Sequence, residues 1–270
     1  MASLLLPVIY LAFISLGLPD ALLGAAWPTM YPQLGAQVSW AGGVSMIISA
    51  CTILSALASD RLNERLGTGR VTAISVATTA VALFGFSFCH AFWQLCLWAI
   101  PYGLGAGSVD AALNNYVALH YKSRHMSWLH CMWGVGASLG PVIMGQALAG
   151  SGWQGGYRII GILQVVLTVV LLFSLPLWKL PQDAMGGGPF TPQHRSFPEL
   201  LKITGVPEVL VCFLCYCALE STAGMWASSY CTLVRGLDAQ TAASWASLFY
   251  LGITAGRFVS GFLTMKMSDR

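Results

Sequence analysis

The chain has 270 residues, 56% of them hydrophobic and only 9% charged, with a net charge of +3. A soluble domain carries about 25% charged residues, so the composition excludes an ordinary water-soluble enzyme or binding module. No basic cluster is dense enough for nucleic acid. The sequence has no H-E-x-x-H, G-x-S-x-G or Walker loop, so neither an enzyme nor ATP-driven transport is expected, and no cofactor or metal is implied.

Roughly 20 apolar residues cross a bilayer as a helix. Eight such runs are expected, at 4–31, 40–59, 71–90, 93–118, 127–149, 157–178, 207–234 and 241–265. The expected fold class is all-α and integral to the membrane, because the short alternating segments of a β-barrel are absent. The first run is too long for a cleaved signal peptide. If the N-terminus is cytoplasmic, Arg61, Arg65, Arg70, Lys122, Arg124, Lys179, Arg195, Lys202, Lys266 and Arg270 all fall on the cytoplasmic side. Only Arg158 and Arg235 then fall outside, which is the positive-inside pattern. The expected partner is therefore the lipid bilayer, in the plasma membrane (the inner membrane of a bacterium).

The first span contains Gly17, Pro19 and Asp20. Proline breaks the helical hydrogen-bond ladder, so a kink is expected there. Asp20 reads as a solute ligand or a second coupling acid, or alternatively as a backbone cap at the kink.

Asp60, Arg61 and, after a pair of glycines, Arg70 follow the second span, and are expected in a loop.

The fourth span holds Asp110, the one charged side chain between Phe92 and Leu119, followed by Asn114 and Asn115. A carboxylate in hydrocarbon costs at least about 2.5–3.5 kcal/mol, and such residues usually face a cavity. Asp110 and Asn114 stand one helical turn apart on one face. They are expected to carry the coupling proton and to hold it or the solute by a hydrogen bond, with Asn115 a further candidate solute contact. The competing reading is a buried polar pair that locks helix packing.

In the fifth span, His130 and Trp133 share a face. They read either as solute contacts or as an aromatic packing pair. Gly103 to Gly107 and Gly252 to Gly256 are expected to let helices approach closely.

The longest polar stretch runs through Gly186, Gly187, Gly188, Pro189 and Pro192 and reads as a linker. The expected organisation is a six-helix bundle over 1–178, a cytoplasmic linker over 179–206, and two helices of a second bundle over 207–270. The seventh span carries Glu220 and Trp226 as candidate solute contacts. Glu220 could instead pair with a residue of further spans. Arg257 lies within the eighth span, where it either snorkels or pairs with an acid. Cys212, Cys215 and Cys217 read as small apolar residues rather than a metal site.

Ser55-Ala-Leu-Ala-Ser-Asp60-Arg61 lines up with the stretch from Ser260 to Lys266, at corresponding places in the two halves. A complete second half would need four more spans, so the sequence reads as a C-terminally truncated transporter or a fragment of one. A natural eight-span protein is the alternative.

With six spans, a linker, and Asp60-Arg61 before Gly67, Gly69 and Arg70, the chain resembles the major facilitator superfamily. Leu18-Pro19-Asp20 and Asp110-Ala-Ala-Leu-Asn114 resemble the fucose permease-like sugar–proton symporters, which have a glutamate at the position of Asp110. His130 and Trp133 stand where the permease has two polar amides, and Gly17 where it has an asparagine. The resemblance implies two parallel six-helix halves, a small polar solute such as a sugar, and coupling to protons. It also implies that Asp60, Arg61 and Arg70 form a conformational gate, with the aspartate meeting a helix end of the second half. Gly136-Ala-Ser-Leu-Gly140-Pro141 resembles the fifth-helix motif of proton antiporters, which keeps drug or metabolite export as an alternative. A non-transporting membrane protein is a second alternative.

Overall fold

The computed structural model describes residues 2–179 and 197–263. Its helices are α1 (Ala2–Asp20), α2 (Leu22–Gln33), α3 (Trp40–Leu66), α4 (Thr68–Ser87), α5 (Phe92–His120), α6 (Ser123–Leu148), α7 (Gly152–Ser174), the short α8 (Phe197–Leu200), α9 (Val206–Leu233) and α10 (Ala239–Leu263). A 3-10 turn, Leu175–Lys179, extends α7. No strand occurs among the described residues. Seven helical stretches there are long and apolar enough to cross a membrane. The fourth expected span, α5, is not among the seven, although it is a 29-residue helix. It falls short in hydropathy rather than length, because Gln94, Asp110 and Asn114 interrupt its apolar run.

The first span breaks where Pro19 predicts. α1 ends at Asp20, and α2 starts at Leu22. Proline has no amide hydrogen, so the carbonyl of Ser15, four residues earlier, loses its helical donor. Gln164 Nε2 of α7 donates to that oxygen instead. Both residues are buried, at 0% and 1% exposure. An unpaired carbonyl in this setting would cost about 1–3 kcal/mol, so Gln164 makes the break tolerable.

The polar segment after the second span is not the loop expected from the sequence. α3 runs on through Asp60, Arg61 and Glu64 to Leu66, and only Gly67 separates it from α4. Gly67 adopts φ +80°, a conformation that costs glycine little. The linker lies largely outside the described residues, as does the end of the repeat from Met265 to Arg270.

The helices pack by backbone contact as well as by side chains. α1 lies on α6, α3 on α5, and α4 on α5 and α7. A β-carbon added at Gly103 would meet the Ile48 carbonyl oxygen at 2.4 Å, and one at Gly107 would meet that of Thr52 at 2.4 Å. These glycines therefore do bring α3 and α5 together, and Thr52 Oγ1 adds a 3.2 Å bond to the Gly103 carbonyl. Ser55 also bonds Ser108 across the same contact. Among the described residues Gly252 and Gly256 do not play this part: a β-carbon at either would have nothing there within 4 Å.

The two helices beyond the linker dock separately. α10 packs on α6, and α9 packs on α2 and α10. Two apolar clusters hold the assembly. One centres on Trp27, Met30 and Trp153, the other on Phe13, Leu113 and Leu129. They occupy opposite halves of the first span, and Asp20 sits at their junction. A small third cluster of Ala21, Ala137 and Tyr250 marks the same level.

Candidate functional site

A cavity of about 860 Å³ opens at this junction, between the six-helix bundle and α9/α10. Its lining includes Asp20, Tyr102, Asp110, His130, Trp133, Tyr216, Glu220, Tyr250 and Arg257. Three carboxylates and one guanidinium thus share one compartment inside an otherwise apolar bundle.

Asp20 faces the cavity, while Leu16, Leu18, Ala21 and Leu22 around it are buried. The helix break aims it there, since the chain changes direction at the next residue. Each carboxylate oxygen accepts one bond from a neutral donor: Tyr102 Oη donates to Oδ1 at 2.8 Å, and Trp133 Nε1 to Oδ2 at 2.8 Å. Asp20 therefore ties α1 to both α5 and α6 and is not a backbone cap.

Asp110 accepts a 3.0 Å bond from Asn114 Nδ2, as helical spacing predicts. Asn114 Oδ1 is buried and has no partner among the described residues. Asn114 itself is not in the cavity wall, and Asn115, one position further round the helix, is exposed and also outside it. Consecutive helical residues point about 100° apart, so the two asparagines cannot serve one face.

His130 and Trp133 both line the cavity. His130 makes an edge contact with Phe13 at 5.7 Å. Trp133 links the two helix groups: its N–H reaches Asp20, and the Arg257 guanidinium lies 4.8 Å from its ring centroid.

Glu220 finds its partner in the adjacent helix. Arg257 Nη2 lies 3.2 Å from Oε2 and 3.4 Å from Oε1. The same nitrogen donates to Tyr216 Oη at 2.7 Å, and Nη1 donates to the His130 carbonyl at 3.3 Å. Arg257 pairs inside the bundle and does not snorkel. Trp226 packs against the Trp27 cluster and does not line the cavity. Asp60, Arg61 and Arg70 are exposed where α3 meets α4 and do not line the cavity.

Tyr102, Tyr216 and Tyr250 are site residues that pattern reading passed over. Helical arithmetic carries a signal for two of them. Tyr216 precedes Glu220 by four positions and Tyr250 precedes Arg257 by seven, so each shares a face with a charge. Tyr102 has no comparable marker.

A polar, charge-bearing cavity enclosed by membrane-length helices defines a multi-pass membrane protein with an internal solute-sized compartment. The sequence profile described as Major Facilitator Superfamily matches residues 9–270, and the chain belongs to that family. It is 21% identical over 279 residues to "Bypass of stop codon protein 6" of Saccharomyces cerevisiae, covering 95% of this chain and 56% of that protein. It is 25% identical over 240 residues to "Membrane sensor protein UhpC" of Salmonella typhimurium, covering 79% of this chain and 52% of that protein. It is 29% identical over 169 residues to "4-hydroxybenzoate transporter PcaK" of Pseudomonas aeruginosa, covering 59% of this chain and 37% of that protein. The chain spans about half the length of the first two of these curated relatives.

Proposed function

We propose that this chain belongs to a secondary active transporter, not an enzyme, that takes up a small polar solute together with protons by alternating access. The observation that carries the reading is the cavity itself, with Asp20, Asp110, Glu220 and Arg257 in its wall at the seam between two helix groups. Charged groups are expensive at membrane depth and are retained where they serve an ion or solute path. Asp110 and Asp20 are the coupling acids, and His130, Trp133 and Glu220 are the solute contacts. A sugar or sugar-like molecule fits a compartment that joins aromatic faces to hydrogen-bonding tips. The fucose permease-like motifs around Asp20 and Asp110 favour that choice. In this reading the N-terminus is cytoplasmic, and Asp60, Arg61 and Arg70 form part of a cytoplasmic lock.

Asp110→Asn, reconstituted in proteoliposomes, tests it. A pH gradient should drive less accumulation of labelled solute, while solute-for-solute exchange continues. Undiminished accumulation would remove Asp110 from the coupling step. Two other readings rest on specific observations. The glycines of α6 support export; an inward proton gradient would then move solute outward. The likeness to a protein named as a membrane sensor supports a non-transporting role, in which solute binds and no flux follows.

A further inference from the structure

Arg257 is the one lysine or arginine among the described residues that line the cavity. A single nitrogen, Nη2, serves both Glu220 oxygens, at 3.4 and 3.2 Å. This is not the parallel two-nitrogen fork in which a guanidinium holds a carboxylate most firmly. The pair is not sealed away either, since the two side chains keep 22% and 13% exposure and both reach the cavity. The Trp133 ring, its centroid 4.8 Å from the guanidinium carbon, adds a cation–π contact that takes up none of its N–H donors.

We infer that Arg257 is the receptor for a carboxylate group on the solute, and that Glu220 is its resident stand-in, released from Arg257 when Glu220 takes up a proton. The inference rests on the reading of the cavity as a solute site. Charge balance argues for it. Arg257 and an ionised Glu220 are neutral together, and a second carboxylate on the same cation would put two anions side by side in a medium of low dielectric constant. One proton on Glu220 restores neutrality as the solute carboxylate arrives. The one covalent change is the O–H bond formed on Glu220: its proton comes from the aqueous phase, and the Nη2 hydrogen bonds move from Glu220 to the solute. The Tyr216 hydroxyl, one turn before Glu220, can accept the new Glu220 O–H.

The groups that face Glu220 leave Arg257 as the cation for this task. Arg257 and Tyr250 come from α10, Tyr216 and Cys217 from α9 itself, and Asp20 from α1 across the cavity. His130 of α6, Asp110 and Tyr102 of α5 and Tyr157 of α7 complete the titratable lining among the described residues, and α2, packed on α9, brings no charged side chain.

The test uses the whole protein, purified in detergent and reconstituted, with two acids and their neutral counterparts: 4-hydroxybenzoate against 4-hydroxybenzyl alcohol, and gluconate against sorbitol. At least one acid should bind tenfold or more tightly than its neutral partner. Its affinity should fall by up to about tenfold per pH unit as the pH is raised, because one proton accompanies each anion. Glu220→Gln should flatten that slope, and Arg257→Lys should weaken acid binding at least tenfold. Equal binding of acid and alcohol, unaffected by Arg257→Lys, overturns the carboxylate receptor and leaves the solute site standing. Absence of binding and of flux for all four probes removes both. If the Arg257 variant does not fold, the Glu220→Gln slope decides, and an unchanged slope overturns the proton exchange.

Discussion

Replacing Gly17 with alanine is expected to force α1 and α6 apart where Asp20 meets Trp133. A β-carbon at position 17 would lie 2.0 Å from the Trp133 carbonyl oxygen and 2.9 Å from the Ala137 amide nitrogen. Non-bonded heavy atoms settle at roughly 3.5 Å, so the helices must part by about 1.5 Å. The obstacle is backbone, and no rotamer change relieves it. Overpacking of this kind costs about 1–3 kcal/mol. The 2.8 Å bond from Trp133 Nε1 to Asp20 Oδ2 lies one turn further along α1, and a hydrogen bond stretched to roughly 3.6 Å is lost. Gly17→Ala should therefore lower both the melting temperature in detergent and the affinity for solute. Asparagine, the residue of the resembling permease at this position, should be worse. Wild-type melting together with wild-type binding in Gly17→Ala would refute the close approach of the two helices.

Gln164→Leu removes the donor that replaces the missing Pro19 amide, and should cost about 1–3 kcal/mol in reversible unfolding. A variant as stable as the parent would show that Ser15 finds another partner. Trp133→Phe keeps a ring under Arg257 but withdraws one of the two donors on Asp20. A hydrogen bond to a charged group contributes about 1.5–3 kcal/mol, so a melting loss of that order is expected, with a larger one for Trp133→Ala. Asp238 caps α10 by accepting the Thr241 amide hydrogen at 2.9 Å, and hydrogen bonding from the Thr241 side chain, followed by that amide, holds its carboxyl below the usual aspartate range. A depressed pKa stabilises above the unfolded value and is lost as pH falls through the folded one. Asp238→Ala should thus lower the melting temperature at neutral pH, and the difference should vanish in strong acid. A gap that persists there would argue against the cap.

Local pattern carried much of the fold. Run lengths located the spans, Pro19 located the break, and four-residue spacing paired Asp110 with Asn114. Each of these is written within one helix, where geometry follows from sequence separation alone. The bonds that shape the site are not of that kind. Tyr102 and Trp133 reach Asp20 from positions 82 and 113 residues away. Arg257 meets Glu220 across 37 residues and the His130 carbonyl across 127. Such meetings depend on which helix faces which, and apolar runs in lipid are nearly equivalent in that respect. The same blindness placed Trp226 and Asn115 in the wall: the sequence shows that they lie in spans, not which way those spans are turned. The path of α3 past Asp60 was missed for a different reason. A helix can continue into water once a run of apolar residues ends, and hydropathy marks the membrane boundary, not the helix end.

The break after Asp20 divides the first span into pieces with different allegiances. α1 is held by α6 and α7, whereas α2 supports α9. Bending at Ala21 would let α2 carry α9 with it while sliding on its own smaller contact with α6. Asp20 stands at that elbow with a tether to α5 and another to α6, so its carboxylate would register the bend as a change in reach to its two donors. An angle between helices would thereby be converted into the strength of two hydrogen bonds. A chemical event at one carboxyl group could, by the same lever, set the angle.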